Sequence, residues 1–276
     1  MKLPARTSSA PAWEYRGRWA LITGASAGIG EIFAEQLASR GMNLVLSARR
    51  ADRLTALADR LAREFSIETV VVAEDLSEPG AASALWNQAA DGRPIHLLVN
   101  NAGFGAQGDL HELDLELQSQ MVRLNCVALL ELAHLALGPM RRRADGGIIN
   151  VSSIAAFQPV PGLAVYAASK AFVLSLSEAL WSENRHAGVR VLALCPGRTP
   201  TEFQAVAGTG SAVGTFGERS PLQVVQSGLS ALEQGRSYQV PGLENYLATW
   251  LVRILPRSAI TRLLRSAVRK RGAPSA

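Results

Sequence analysis

The chain has 276 residues, 48% apolar and 18% charged, which fits one large α/β domain or at most two small ones and excludes global disorder. Its net charge of +5 is concentrated at one end: residues 241–276 hold seven basic side chains and one acid, the preceding residues sum to −1, and a basic nucleic-acid face across the domain is excluded. Two cysteines in apolar runs, Cys126 and Cys195, read as buried thiols rather than a disulfide framework, and four scattered histidines without C-x-x-C argue against a metal site.

The first residues contain no apolar run of signal-peptide length, and residues 1–16 are expected to form a loose arm. The longest apolar stretch, Leu124–Leu137, is interrupted by Asn125, Glu131 and His134, so no bilayer-spanning segment is expected and a cytoplasmic protein is the default. From Trp19 onward a short apolar strand, a turn and an amphipathic helix alternate. Strands are predicted at Trp19–Thr23, Asn43–Leu46, Thr69–Glu74, Ile95–Asn100, Gly147–Val151, Arg190–Cys195 and Tyr238–Val240. Their near-continuous apolar character is what a parallel strand buried on both faces requires. Ile29–Arg40 reads as a helix with Ile29, Phe33 and Leu37 on one face. This alternation predicts βαβ units in one doubly wound, mostly parallel sheet of seven strands with helices on both faces. Residues 198–219, rich in Gly, Ala, Thr and Ser, read as a long loop over a site.

The first strand runs into Thr23-Gly24-Ala25-Ser26-Ala27-Gly28-Ile29-Gly30 and then a helix. Glycines there let the backbone turn sharply and approach a pyrophosphate, and the helix N-terminus aims N–H groups at the anion. At the end of the second strand the acid that would hold a ribose 2′-hydroxyl is missing and Arg49-Arg50 stand instead. Arg49 is therefore the candidate partner of a 2′-phosphate, which favours NADP over NAD. Asp75, after the third strand, is placed to accept from an adenine amino group or to cap a helix. Asn100-Asn101-Ala102-Gly103, after the fourth, lies beside a nucleotide or forms an ordinary turn.

Tyr166 and Lys170 are four apart in a helical stretch, so phenol and ammonium share a face, and Lys170 is one of three lysines in the chain. A nearby cation is expected to lower the phenol's pKa and suit it to proton transfer with a substrate oxygen. Ser153, after the fifth strand, can polarise that oxygen. Asn125 is a polar amide in an apolar helix; it is expected either to bridge a water and Lys170 or to bond local backbone.

Thr-Gly-x-x-x-Gly-x-Gly at 23–30, Asn-Asn-Ala-Gly at 100–103, Ser153, Tyr166-x-x-x-Lys170 and Pro196-Gly197 occur in this order, and over residues 17–240 the chain resembles the single-domain short-chain dehydrogenases/reductases. The resemblance implies a Rossmann-like NADP-binding catalytic domain at 17–241 followed by a helical extension at 242–276. It implies Tyr166 as general acid/base, Lys170 as its pKa-lowering neighbour and a ligand of the nicotinamide ribose, Ser153 as orienter of the reacting oxygen, and Asn125 as holder of a relay water. Gly24, Ser26, Gly28 and Ile29 would line phosphates and ribose. Asp75 and Leu76 would flank adenine, with Asn101 near its ribose. Pro196, Gly197, Thr199 and Thr201 would meet the carboxamide, although the family often has Val or Ile at the position of Thr199. The implied activity is hydride transfer between a nicotinamide nucleotide and a carbonyl or secondary alcohol, in a homodimer or homotetramer; the rival reading is a non-catalytic nucleotide-binding module.

Phe104, Phe157, Val160, Pro161, Leu163, Phe203, Val206, Val213 and Phe216 are candidate pocket walls with Arg198 as the one charged anchor, so an apolar or lipid-like carbonyl compound is the expected substrate. In the extension, Leu243, Tyr246, Leu247, Trp250, Leu251 and Ile254 fall on one helical face. A second helix is expected to carry Ile260, Leu263, Leu264 and Val268, ringed by Arg262, Arg265 and Arg269. Three readings of the extension stand: packing on its own domain or a partner subunit, peripheral contact with an anionic membrane, or a lid over the pocket.

Overall fold

The computed structural model describes residues 13–207, 217–254, 256, 258–262 and 265. Seven strands, β1 (Trp19–Thr23), β2 (Asn43–Ala48), β3 (Thr69–Ala73), β4 (Ile95–Asn100), β5 (Gly146–Val151), β6 (Val189–Leu194) and β7 (Tyr238–Gln239), form one sheet in the order β3-β2-β1-β4-β5-β6-β7. Every neighbouring pair is parallel. The helices between them are α1 (Gly28–Ala38), α2 (Ala51–Phe65), α3 (Ala81–Ala90), α4 (Leu115–Val122), α5 (Leu129–Arg143), α6 (Ala164–Asn184), α7 (Phe203–Ala207) and α8 (Pro221–Glu233), and α9 (Leu243–Ile254) follows β7.

Strand periodicity divides the core into two layers. Ala20 and Ile22 of β1 face α1, α2 and α8 through Phe33, Leu37, Leu54 and Leu229, while Trp19 and Leu21 face α3 and α5 through Leu85, Trp86, Leu132 and Met140. Burying each such large side chain contributes roughly 1.5–3 kcal/mol over leaving it in water. Strand order reverses between β1 and β4, so a crevice opens above their C-terminal ends, where ligands bind in open α/β sheets.

Residues 13–16 do not belong to a loose arm. Trp13 and Tyr15 pack on the first layer, and the Tyr15 hydroxyl donates to Glu233 at 2.6 Å; the rest of the expected arm lies outside the described residues. The continuous helical run Leu115–Arg143 is long and apolar enough by composition to cross a membrane. In the fold its buried side, including Met121, Leu132, Ala136 and Met140, packs into the interior. The expected loop over 198–219 contains the short α7. Val213 and Phe216 lie outside the described residues, as does the side chain of Val206. In the extension Ile260 is buried, whereas Leu263, Leu264, Val268 and Arg269 lie outside the described residues.

Candidate active site

A cleft of about 500 Å³ opens at the switch point. At one end is the turn from β1 into α1. Gly24 and Gly28 hold φ of +66° and +62°, a region where side chains are strained. Gly30 is required for another reason: a Cβ there would stand 2.2 Å from the Gly24 carbonyl oxygen. No side chain caps the first turn of α1. A glycine cradle that any Cβ would fill, ending in an uncapped helix N-terminus, fits the pyrophosphate of a dinucleotide.

Asn101 lines the cleft, but its amide is committed to the cradle. Its Nδ2 donates to the carbonyls of Thr23 at 3.0 Å and Gly24 at 3.2 Å. Thr23 Oγ1 accepts from the backbone N–H groups of Asn101 and Ala102, both at 3.0 Å. The tip of β4 thus clamps the tip of β1, and Asn101 holds the loop in place while lining the cleft.

Arg49 lines the same end with a side chain 75% exposed, its guanidinium 3.8 Å from Asp75. Burial acts to raise the Asp75 carboxyl, but the Ser77 hydroxyl and N–H and the Arg49 charge outweigh it and hold the pKa below the ordinary carboxylate value. Sequence reasoning gave no role to the neighbouring Arg50, which donates to Ser26 Oγ at 3.1 and 3.2 Å and to Glu202 at 2.8 Å. Glu202 also accepts from Arg53 at 2.6 Å. The bridge ties the segment after β6 to the start of α2; its partners are about 150 positions apart in the chain, a separation that carries no local sequence signal.

At the other end Ser153, Tyr166 and Lys170 line the cleft together. Ser153 follows β5 and caps the short helical turn 154–157 by accepting from Ala155 N at 3.1 Å. Tyr166 and Lys170 sit one turn apart on α6, with Lys170 Nζ 5.8 Å from the tyrosine ring centre. Burial pushes the Tyr166 hydroxyl up to about 12, and its hydrogen bond with Ser153 lowers it only in part. The direction is opposite to the lowering expected from Lys170. The lysine is itself buried, with Nζ donating to Val151 O at 2.9 Å, and burial pushes its pKa down to about 8. At neutral pH the pair is therefore a protonated phenol beside an ammonium, a proton donor set against the cleft.

Asn125 does not line the cleft; it is buried behind it. It lies in a π-helical turn, Arg123–Ala128, that joins α4 to α5. Its Oδ1 accepts from Phe104 N at 3.2 Å, and its Nδ2 donates to Phe104 O at 3.0 Å and Ser169 Oγ at 3.1 Å. The partners are long-range, not the local backbone, and the amide holds the loop after β4 against α6. The widened turn was not legible in sequence; such turns are frequent at functional sites.

Gly24, Ser26, Gly28, Ile29, Arg49, Asp75, Leu76, Asn101, Pro196, Gly197, Thr199 and Thr201 all line the cleft. Thr199 is nonetheless buried, with its hydroxyl donating to Gly197 O at 3.3 Å. Of the candidate pocket walls, Phe104, Leu163, Phe203 and Arg198 line the cleft, and Phe203 packs on Tyr166 with ring centres 5.4 Å apart. Phe157, Val160 and Pro161 do not line it; Phe157 turns instead to Tyr238. Arg198 pairs with Glu218 at 3.1 Å, which offsets its charge as an anchor. The thiols of Cys126 and Cys195 are buried, and burial raises the pKa of both, consistent with inert core groups.

The family model described as short chain dehydrogenase matches residues 18–211. The very-long-chain 3-oxoacyl-CoA reductase of Anas platyrhynchos is 30% identical over 254 residues, 90% of this chain and 79% of that protein. The 7beta-hydroxysteroid dehydrogenase of Collinsella aerofaciens is 34% identical over 188 residues, 68% of this chain and 71% of that protein. Among solved structures, a short-chain dehydrogenase from Sphingobium yanoikuyae in complex with NADPH is 32% identical with a TM-score of 0.78, covering 94% of this chain and 98% of that one.

Proposed function

The chain belongs to the short-chain dehydrogenase family of oxidoreductases, and from that premise we propose that it is an NADP(H)-dependent reductase of apolar, lipid-like ketones or aldehydes. The observation that carries the reading is the cleft itself. One end is a glycine cradle with two arginines, and the other is a protonated phenol backed by an ammonium and flanked by Phe104, Leu163 and Phe203. Relatives named as a very-long-chain 3-oxoacyl-CoA reductase and a 7beta-hydroxysteroid dehydrogenase support an apolar substrate class.

A nicotinamide nucleotide held by the cradle would supply the hydride. Ser153 holds the substrate oxygen, and Tyr166 gives that oxygen its proton. Lys170 stabilises the phenolate left behind, and Asn125 positions α6 and the Phe104 loop so that the three stay in register. Arg49 and Arg50 read the 2′-phosphate. Exposed apolar side chains along α4, the π turn and α5, among them Leu115, Leu117, Val122, Val127 and Leu130, support the homodimer or homotetramer that the resemblance implies.

Three measurements test this reading. NADPH oxidation against a panel of apolar ketones and aldehydes is expected to show turnover, with NADH a poor substitute, and Arg49→Ala/Arg50→Ala is expected to raise KM for NADPH about tenfold while leaving that for NADH unchanged. Tight NADPH binding with no turnover on any carbonyl would support the non-catalytic module instead. In the wild type, reductive kcat is expected to hold through neutral pH and to fall as pH rises through about 8, where Lys170 loses its proton. Tyr166, at about 12, stays protonated across that range, so a limb there belongs to the lysine. A profile flat to pH 10 refutes that assignment.

A further inference from the structure

Helix α9 is seated with its polar side inward. Asn245 and Thr249, one turn apart, are each only 5% exposed. Asn245 Nδ2 donates to Gly217 O at 2.8 Å and Pro241 O at 2.9 Å, and its amide fits against Gly197 so closely that a Cβ there would stand 2.6 Å from it. Thr249 Oγ1 donates to Tyr246 O at 2.7 Å. The opposite side carries Leu243, Tyr246, Leu247, Trp250 and Leu251 at helical spacing, with exposures of 71%, 36%, 57%, 46% and 58%. A helix of a water-facing surface shows the reverse arrangement. The outward stripe is continuous, and an aromatic pair, Tyr246 with Trp250, lies within it.

Charge is distributed to match. The single acid of residues 241–276, Glu244, is ion-paired with Arg219 at 2.6 Å. Seven cations remain in that segment against a body summing to −1, and Arg262 and Arg265 are exposed. We infer that α9, with Arg262 and Arg265 after it, forms a surface that docks on an anionic phospholipid bilayer, with the apolar stripe in the acyl boundary and these guanidinium groups among the headgroups. A second copy of this chain is the poorer occupant, because it would bring two segments of the same strong positive charge together. An anionic lipid surface attracts each cation and accepts the stripe. Because α9 packs against residues 154–157 and on Gly197, which lines the cleft, docking brings the cleft beside the lipid. The surface does not depend on which carbonyl compound is reduced, and its test needs no turnover.

The full chain is mixed with vesicles of phosphatidylcholine alone, or with added phosphatidylglycerol, and floated on a density gradient. It is expected to float with the anionic vesicles, to stay behind with the neutral ones, and to be released at high salt. Leu247→Glu/Leu251→Glu alters exposed positions, so it is expected to keep its melting temperature and its NADPH oxidation on a water-soluble ketone while partitioning roughly tenfold less or lower. Arg262→Glu/Arg265→Glu is expected to weaken binding to anionic vesicles alone. Failure of the parent to float, or equal flotation of Leu247→Glu/Leu251→Glu, overturns the inference. So does a parent dimer that this variant splits without any vesicle binding by the parent; that result gives the face to a second copy.

Discussion

Tyr166→Phe is expected to lower kcat for carbonyl reduction by about three orders of magnitude, within the range that a positioned proton donor contributes, while NADPH still binds. The substitution removes one oxygen and leaves the ring. Its packing on Phe203 and its place one turn from Lys170 persist, so melting temperature and fluorescence titration with NADPH should change little. The large loss follows from the state of the hydroxyl. With its pKa pushed up to about 12 it holds its proton at neutral pH and can donate it, and the phenol is the group in contact with Ser153. A variant retaining more than a tenth of wild-type turnover would show that the proton comes from elsewhere. Ser153 would be the next candidate, and the assignment of Tyr166 would fail.

Gly30→Ala is expected to be the most damaging single methyl at the nucleotide end. The added carbon would lie 2.2 Å from Gly24 O and 2.6 Å from Asn101 Nδ2. The first is backbone of the cradle and the second is the amide that clamps it, so neither can move without opening the turn. Overpacking of this kind costs about 1–3 kcal/mol, which corresponds to a fall in Tm of roughly 5 °C, and nucleotide affinity should fall further because the displaced atoms form the cradle. Gly138→Ala is the control. It lies within α5, and its nearest neighbour would be an arginine nitrogen at 3.6 Å, so it is expected to be neutral or to stabilise by up to about 1 kcal/mol. Thermal melts and NADPH titration of the two variants decide the matter. Equal behaviour would mean that the cradle tolerates expansion and that its glycines serve only backbone freedom.

Periodicity and motif order determined most of the architecture. A parallel strand covered on both faces must be apolar along its whole length, so β1 to β6 are legible as runs, with ends within two residues of those observed. The turn at 23–30 is legible because glycine spacing answers to an anion that must approach backbone. Ser153, Tyr166 and Lys170 were legible as a set through their order and the four-residue step, and the fold brings them to one cleft. What tertiary structure decided was everything set by distant partners. The π turn at Asn125 carries an amide that reaches Phe104 and Ser169, 21 and 44 positions away. The Glu202 bridge joins residues that only the crossover from β6 brings together. Lys170 next to Tyr166 foretold an acidic phenol, but the surroundings bury both groups, and the cost of desolvating charge outweighs the proximity of the pair. In α9 the pattern established that an apolar stripe exists, since i, i+3 and i+4 share a face in any helix. Which way that stripe turns depended on Asn245 finding the carbonyls of Gly217 and Pro241, because a buried amide must be satisfied and an exposed leucine need not be.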